Sequence, residues 1–319
     1  MESQVIAEQV LIAGIIVFVG AVGSWTKIIN EQVKLSISQL VFNITLPLLI
    51  LTTFSGLDVN HEILVNGFWV IVFSLLSFLI MHWVGKFSAL LFRLPERSAV
   101  VHELHTMFGN IVFLGFPLIA ALYPEEEGLL YATVYYMVAS FVQWTYAVAR
   151  LKGQTNVSLR QRFRHLLNPN TIAFFVGIGL FFIQVRLPDL IEVPMTRIGR
   201  ATAPMALLYI GASLTGTHIK GILGRVDIYA LSLNKLILVP VIMLLIINLF
   251  IVHFGIELGS MARTIIVLET AMPCMSMIVI MARNYGAADG RASENVFLTT
   301  ILSLLTLPLV YFLATGVLI

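Results

Sequence analysis

The sequence predicts an all-α membrane protein of ten transmembrane helices in two inverted five-helix repeats. Three observations carry this prediction. Hydrophobic residues make up 59% of the 319 residues and charged residues only 11%, against about 25% charged in a soluble domain. Apolar runs of roughly 18 or more residues recur along the chain, the length that crosses ~30 Å of hydrocarbon. Lys and Arg are rich and poor by turns from one connection to the next, as the positive-inside rule demands of a polytopic chain.

Each run is read as a helix because a membrane barrel would show alternating segments of ~10 residues instead. The ten spans are Val5–Trp25, Val33–Gly56, Ile63–Phe92, Ser98–Tyr123, Leu129–Ala149, Thr171–Val185, Pro194–Gly216, Asp227–Val252, Ser260–Arg283 and Glu294–Val317. Met1–Gln9 carries Glu2 and Glu8 but no basic residue, so the first run is expected to be a mature helix, not a cleaved signal peptide. A single cysteine, Cys274, excludes an intrachain disulfide.

One set of connections holds fourteen basic residues: Lys27, Lys34, Lys86, Arg93, Arg97, Arg150, Lys152, Arg160, Arg162, Arg164, Lys220, Arg225, Arg283 and Arg291. The other holds four, Arg186, Arg197, Arg200 and Arg263, together with the acidic run Glu125–Glu127; Lys235 lies inside span eight. The basic side is the cytoplasmic one, which puts both termini outside. The longest polar segment, Arg150–Asn170, separates a first repeat (1–153) from a second (171–319) through a cytoplasmic linker (154–170). Its stretch Ser158–Leu167 reads as a short basic amphipathic helix on the inner leaflet.

Prolines mark the repeat. Pro47 and Pro204 interrupt spans two and seven, Pro117 and Pro273 spans four and nine, with separations of 157 and 156 positions. Five spans is an odd number, so the second copy enters the membrane from the opposite side. Inverted repeats with broken helices are the architecture of secondary transporters, whose site lies at the midplane.

At these residues the sequence resembles the auxin efflux carrier family, within the bile-acid and arsenite transporter superfamily. The resemblance rests on Asn43-Ile-Thr-Leu-Pro47-Leu, on Gly109-Asn110 through Gly115-Phe-Pro117-Leu, on Ala271-Met-Pro273, and on Ala292-Ser293 through Pro308-Leu. It covers nearly the whole chain. With about twenty residues between its halves, the chain resembles a short bacterial-type member. The resemblance implies ten helices in two inverted repeats, with broken helices four and nine crossing at their prolines, and a small organic anion as substrate, auxin-like or malonate- and malate-like. Many relatives carry a polar residue, often Asn, just after the span-nine proline. Here Cys274, Met275, Ser276 and Met277 follow, which leaves open the span-nine partner of Asn110.

The chemistry follows from the backbone. A proline removes a donor and crowds the carbonyl one turn earlier, so the following half-helix presents free N–H groups and a positive dipole end. A carboxylate satisfies them without a buried Lys or Arg. The expected substrate-binding residues are therefore Asn110, Pro117, Pro273, Cys274, Ser276, Asn43 and Pro47. Asn110 suits carboxylate orientation and site closure; the alternative is an interhelical hydrogen bond. Asn43 and Pro47 read either as a substrate-lining break or as a packing kink. Glu269, one turn before Pro273, is an intramembrane carboxylate and so a candidate for coupling to H⁺ or Na⁺; the alternative is a structural hydrogen bond or an ion pair with Lys235. Glu103 and His105, with His102, form a second polar patch, read first as a solvated vestibule and second as a proton-linked or gating group. A metal site would need three or four ligands, so no metal and no cofactor beyond a coupling ion is expected.

The expected function is a carrier moving a small mono- or dicarboxylate by alternating access in the plasma (bacterial inner) membrane. The bilayer and the carboxylate are its partners, nucleic acid is not, and a homodimer is a possible assembly. The alternative is a cation/proton antiporter of related fold. Such antiporters use embedded aspartates, and Asp58, Asp189, Asp227 and Asp289 all lie at or near span ends. An enzyme is not expected, since no intramembrane Ser/His or paired-Asp constellation stands out.

Overall fold

The computed structural model describes residues 2–55, 57–123, 126–153, 167–215, 222 and 224–316. Of the predicted basic helix Ser158–Leu167, residues 158–166 lie outside the described residues, as do Gly56, Glu125, Gly216, Lys220 and Val317.

The described chain is almost wholly helical. In order the helices are α1 (Glu2–Trp25), α2 (Glu31–Ser55), α3 (His61–Leu91), α4 (Glu96–Met107), α5 (Ile111–Leu122), α6 (126–152), α7 (Pro169–Ile183), α8 (Asp189–Arg200), α9 (Thr202–Leu214), α10 (Val226–Phe254), α11 (Ser260–Thr270), α12 (Ser276–Asn284) and α13 (Asp289–Gly316). By length and composition, α2, α3, α10 and residues 290–316 of α13 can each cross a membrane. Starts are set by local chemistry: the Asn30 and Asn60 side chains accept from Val33 N at 3.0 Å and Ile63 N at 2.7 Å, filling donors that a first turn leaves orphaned.

The distribution of side chains is inverted relative to a water-soluble helix. On α3 the outward stripe is Phe68, Leu75, Leu79, Trp83 and Phe87, each 50–69% exposed. Its inward face holds Asn66, Ser74, Ser77 and Ser88, all buried. Only a hydrocarbon solvent makes an apolar stripe the stable outer face.

Two layers result. In one, α1 packs on α9, and α2 packs on α7 and α8. Gly20 and Gly211 allow the α1–α9 contact: a Cβ on either would stand 2.2 Å from Leu208 O or 1.8 Å from Val17 O. In the other layer α3 packs on α4 and α6, and α11 packs on α6, α10 and α13. The half-helix α5 touches both layers.

The prolines act differently from expectation. α2 is not cut at Pro47; it widens into i→i+5 turns over Val41–Thr45 and continues. The same wide turn precedes Pro117 (Ile111–Gly115) and Pro240 (Asn234–Leu238) at the same offset. The pyrrolidine ring crowds the carbonyl four residues earlier, and a wide turn moves that carbonyl aside without ending the helix. Pro204 sits in the first turn of α9, after a junction at Ala201. The cut in span four lies at Phe108–Asn110, upstream of Pro117, whereas Pro273 does lie in its gap, Ala271–Met275. The 156-residue spacing of Pro117 and Pro273 therefore does not relate the two cuts; the facing positions Gly109 and Cys274 do.

Candidate functional site

The two cuts meet. Phe108-Gly109-Asn110 and Pro273-Cys274-Met275 run antiparallel as a short extended ladder: Asn110 N donates to Pro273 O at 2.7 Å and Met275 N to Phe108 O at 3.1 Å. Extended backbone in a buried setting needs such partners, and each cut supplies the other's. Cys274 N donates to Thr299 Oγ1 on α13 at 3.0 Å, which completes the ladder's outer edge.

Asn110 is 3% exposed and caps the wide turn of α5, its Oδ1 accepting from Phe113 N at 3.3 Å. Its Nδ2 has no partner among the described residues. Ser276 opens α12, whose first amides lack intrahelical acceptors. Both residues line a cavity of about 450 Å³ with Lys34, Tyr209, Arg283 and Thr300. Lys34 lies one turn into α2, nearly buried, with Nζ 2.5 Å from Glu31 Oε1. A narrow neck past Phe42, Asn110 and Met275 adjoins a second cavity of about 340 Å³ lined by Gln39, Asn43, Tyr136, Gln143 and Asn170.

A third cavity, also about 340 Å³, is lined by Thr52, Pro117, Tyr123, Arg200 and Thr202. α9 starts in this cavity, with Thr202 and Ala203, and ends in the first, with Ser213 and Leu214. The cavities thus lie toward opposite ends of α9. Between them Phe113 stacks on Tyr209 (centroids 4.7 Å, interplanar 28°) and meets Phe42 edge-on at 5.3 Å. Thr202 Oγ1 donates to Thr45 Oγ1 at 2.9 Å beside this plug.

The sequence-predicted residues divide between these surfaces. Asn110 and Ser276 share the first cavity, Asn43 lines the second and Pro117 the third. Pro47 is partly buried in α2 and Pro273 is buried in the ladder. Cys274 was expected beside the anion site, but its side chain is 0% exposed, points at His105 O (3.6 Å), and lines none of the described cavities. Alternation along the ladder turns its side chain away, while that of Met275 lines the neck and the second cavity.

The polar patch of α4 is buried, not a solvated vestibule. Glu103, 2% exposed, accepts from Arg150 at 2.8 Å and from Tyr146, with His82 Nδ1 at 3.0 Å. His102 meets Ser88 Oγ at 2.9 Å, and His105 Nδ1 meets Asn295 Nδ2 at 3.2 Å, leaving His105 Nε2 unpartnered. The two histidines therefore share no partner. Glu269 is 1% exposed with neither carboxylate oxygen hydrogen-bonded. It makes no ion pair with Lys235, whose Nζ donates to Met107 O at 3.4 Å. Arg263, read as a loop charge, is 1% exposed and donates to Ala314 O at 2.8 Å, capping the last turn of α13. Asp58 pairs with Arg186 at 2.8 Å and Asp227 with Arg225 at 2.6 Å. Sequence reading missed Lys34, Arg283 and Tyr209 as cavity residues; the two cations were counted as connection charges.

Comparison with known proteins agrees with this architecture. The sequence profile of the family described as "Membrane transport protein" matches residues 5–158 and again 154–311. An uncharacterized transporter of Methanocaldococcus jannaschii is 25% identical over 314 residues, covering 95% of this chain and 96% of its own. A Rhizobium meliloti protein named "Putative malonate transporter" is 24% identical over 223 residues, 66% of each chain. The chain belongs to the membrane transport protein family, that of the auxin efflux carriers, and is a multi-pass membrane transporter.

Proposed function

We propose that this protein is a secondary carrier for small organic anions, mono- or dicarboxylates, working by alternating access. One observation carries the reading: Asn110 Nδ2, the free amides and hydroxyl at Ser276, and the cations Lys34 and Arg283 converge on one cavity of about 450 Å³. Two cations against one acid, Glu31, which pairs with Lys34, leave the lining net positive, and hydrogen-bond donors with positive charge favour an anion. Two cations at the rim suit a second carboxylate, in keeping with the malonate named for the Rhizobium meliloti relative.

The plug of Phe42, Phe113 and Tyr209 separates this cavity from the one at Pro117 and Arg200. Alternating access exchanges which of the two is open. Two inverted five-helix repeats, 1–153 and 171–319 with a cytoplasmic linker at 154–170, are the arrangement we assign. Supporting it, the family profile matches twice, and Thr45 and Thr202, at the 157-residue repeat spacing, hydrogen-bond each other. Each layer also draws helices from both halves. In this arrangement the basic connections and the Lys34–Arg283 cavity face the cytoplasm of the plasma membrane, with both termini outside. Counterflow in proteoliposomes tests the function: internal malonate, malate or indole acetate should accelerate entry of the same radiolabelled acid, and neutral or cationic analogues should not. Equal exchange of cations would refute an anion carrier.

A further inference from the structure

Two ionisable side chains lie sealed behind the crossing and line none of the described cavities. Lys235 of α10 is 0% exposed, and its Nζ rests on Met107 O and Met81 Sδ, each at 3.4 Å. Met107 is the last residue of α4, so the ammonium sits on a helix C-terminus, where cations are favoured. Glu269 ends α11 one residue before its last. Each group is thus pinned to the half-helix leading into one of the two cuts.

The Glu269 carboxyl lies against the Cα of Gly115, where an added Cβ would stand 2.9 Å from Oε2 and 3.0 Å from Oε1. Both oxygens lack any hydrogen bond. The groups facing this pair from the packed helices are Tyr135 of α6, His105 of α4 and Cys274 of the ladder. Tyr135 is engaged with Ser77 Oγ at 3.1 Å and His105 with Asn295. An anion at this place would have no donor, and in a membrane interior each unmet group costs several kcal/mol. A neutral carboxyl fits the pocket as it stands. An alkali cation does not, because it would share the cluster with a fixed ammonium and find too few oxygens.

Resting on the carrier reading above, we propose that Glu269 and Lys235 form a proton-exchange pair that couples transport to H⁺ and not to Na⁺. In this conformation the Glu269 carboxyl carries the proton. When the crossing rearranges, the proton passes to water in the opened cavity, and the carboxylate pairs with the Lys235 ammonium. Reversal takes the proton back from the other side.

Infrared spectra of the purified full-length protein test the first step without any substrate. Wild type should have the carbonyl stretch of a protonated carboxyl, slow to shift in D₂O and lost in the isosteric Glu269→Gln. Its absence from wild type overturns the proposal. In proteoliposomes, the carboxylate identified by counterflow should accumulate on a pH gradient in Na⁺-free buffer. Glu269→Gln and Lys235→Met should lose that accumulation and keep counterflow, a split that a merely structural role would not produce. Accumulation that requires Na⁺, or that survives in Glu269→Gln, refutes the coupling. If no carboxylate undergoes counterflow, the carrier reading falls, and the infrared band still decides the state of Glu269.

Discussion

Replacing Asn110 by Asp separates the two tasks this side chain performs. Its Oδ1 caps the wide turn of α5 through Phe113 N at 3.3 Å, and Asp supplies the same acceptor. Its Nδ2, on a side chain that lines the cavity of about 450 Å³, is lost and replaced by a second acceptor. A hydrogen bond to a charged ligand is worth about 1.5–3 kcal/mol, which corresponds to about 10- to 150-fold in Kd. Asn110→Asp should therefore weaken carboxylate binding by at least about tenfold while the unliganded protein keeps its Tm. Asn110→Ala removes the cap as well and should cost about 0.5–2 kcal/mol of stability besides. The assay is thermal unfolding of purified protein in detergent, titrated with malonate, malate and indole acetate and read as the ligand-induced rise in Tm. An Asn110→Asp protein with wild-type affinity for the transported acid would refute the assignment of Asn110 as its donor.

Three further outcomes follow from the same geometry. Lys34→Gln removes a charge-assisted bond at the cavity rim and should weaken dicarboxylates by about tenfold, or about 1.4 kcal/mol, with monocarboxylates little changed; binding titrations with matched acid pairs decide it. Arg263→Met leaves the carbonyl of buried Ala314 without this donor and should lower stability by about 1–3 kcal/mol, measured by detergent unfolding, while counterflow affinity stays the same. Cys274, sealed behind the ladder, should resist a membrane-permeant maleimide equally with and without substrate; substrate-dependent labelling would place it in the cavity after all.

Which parts of this molecule were legible in advance depended on what each part's stability answers to. The spans of α2, α3, α10 and α13 were legible because lipid imposes one rule on every segment: about 20 apolar residues with the backbone satisfied internally. That rule acts along the chain, so the helices of span length fall where hydropathy placed them. The resemblance to the auxin efflux carriers was legible for the same reason, being carried by contiguous motifs around Asn43, Asn110 and Pro308. Asn110 and Ser276, which line one cavity, were singled out from their places in the Gly109–Pro117 motif and just after Pro273.

The position of the first cut was not legible. A proline marks a place where the ladder is weakened, yet Pro47, Pro117 and Pro240 are absorbed by wide turns. The chain instead opens at Phe108–Asn110, because there Pro273 O and Met275 N, more than 160 residues away, take over the backbone hydrogen bonds. Side-chain direction was equally undecided by sequence. Cys274 and Ser276 are two positions apart, yet Cys274 lies in the antiparallel ladder and turns toward His105, whereas Ser276 opens α12 and lines the cavity. Lys34 and Arg263 look alike as charges near span ends; tertiary packing makes one a cavity wall and the other a helix cap. Burial of a polar group is settled by which partner reaches it, and partners come from distant segments. The lipid rule is therefore readable along one dimension, whereas the cavity at Asn110 and Ser276, the aromatic stack of Phe113 on Tyr209 and the buried Lys235 and Glu269 exist only once distant segments pack together.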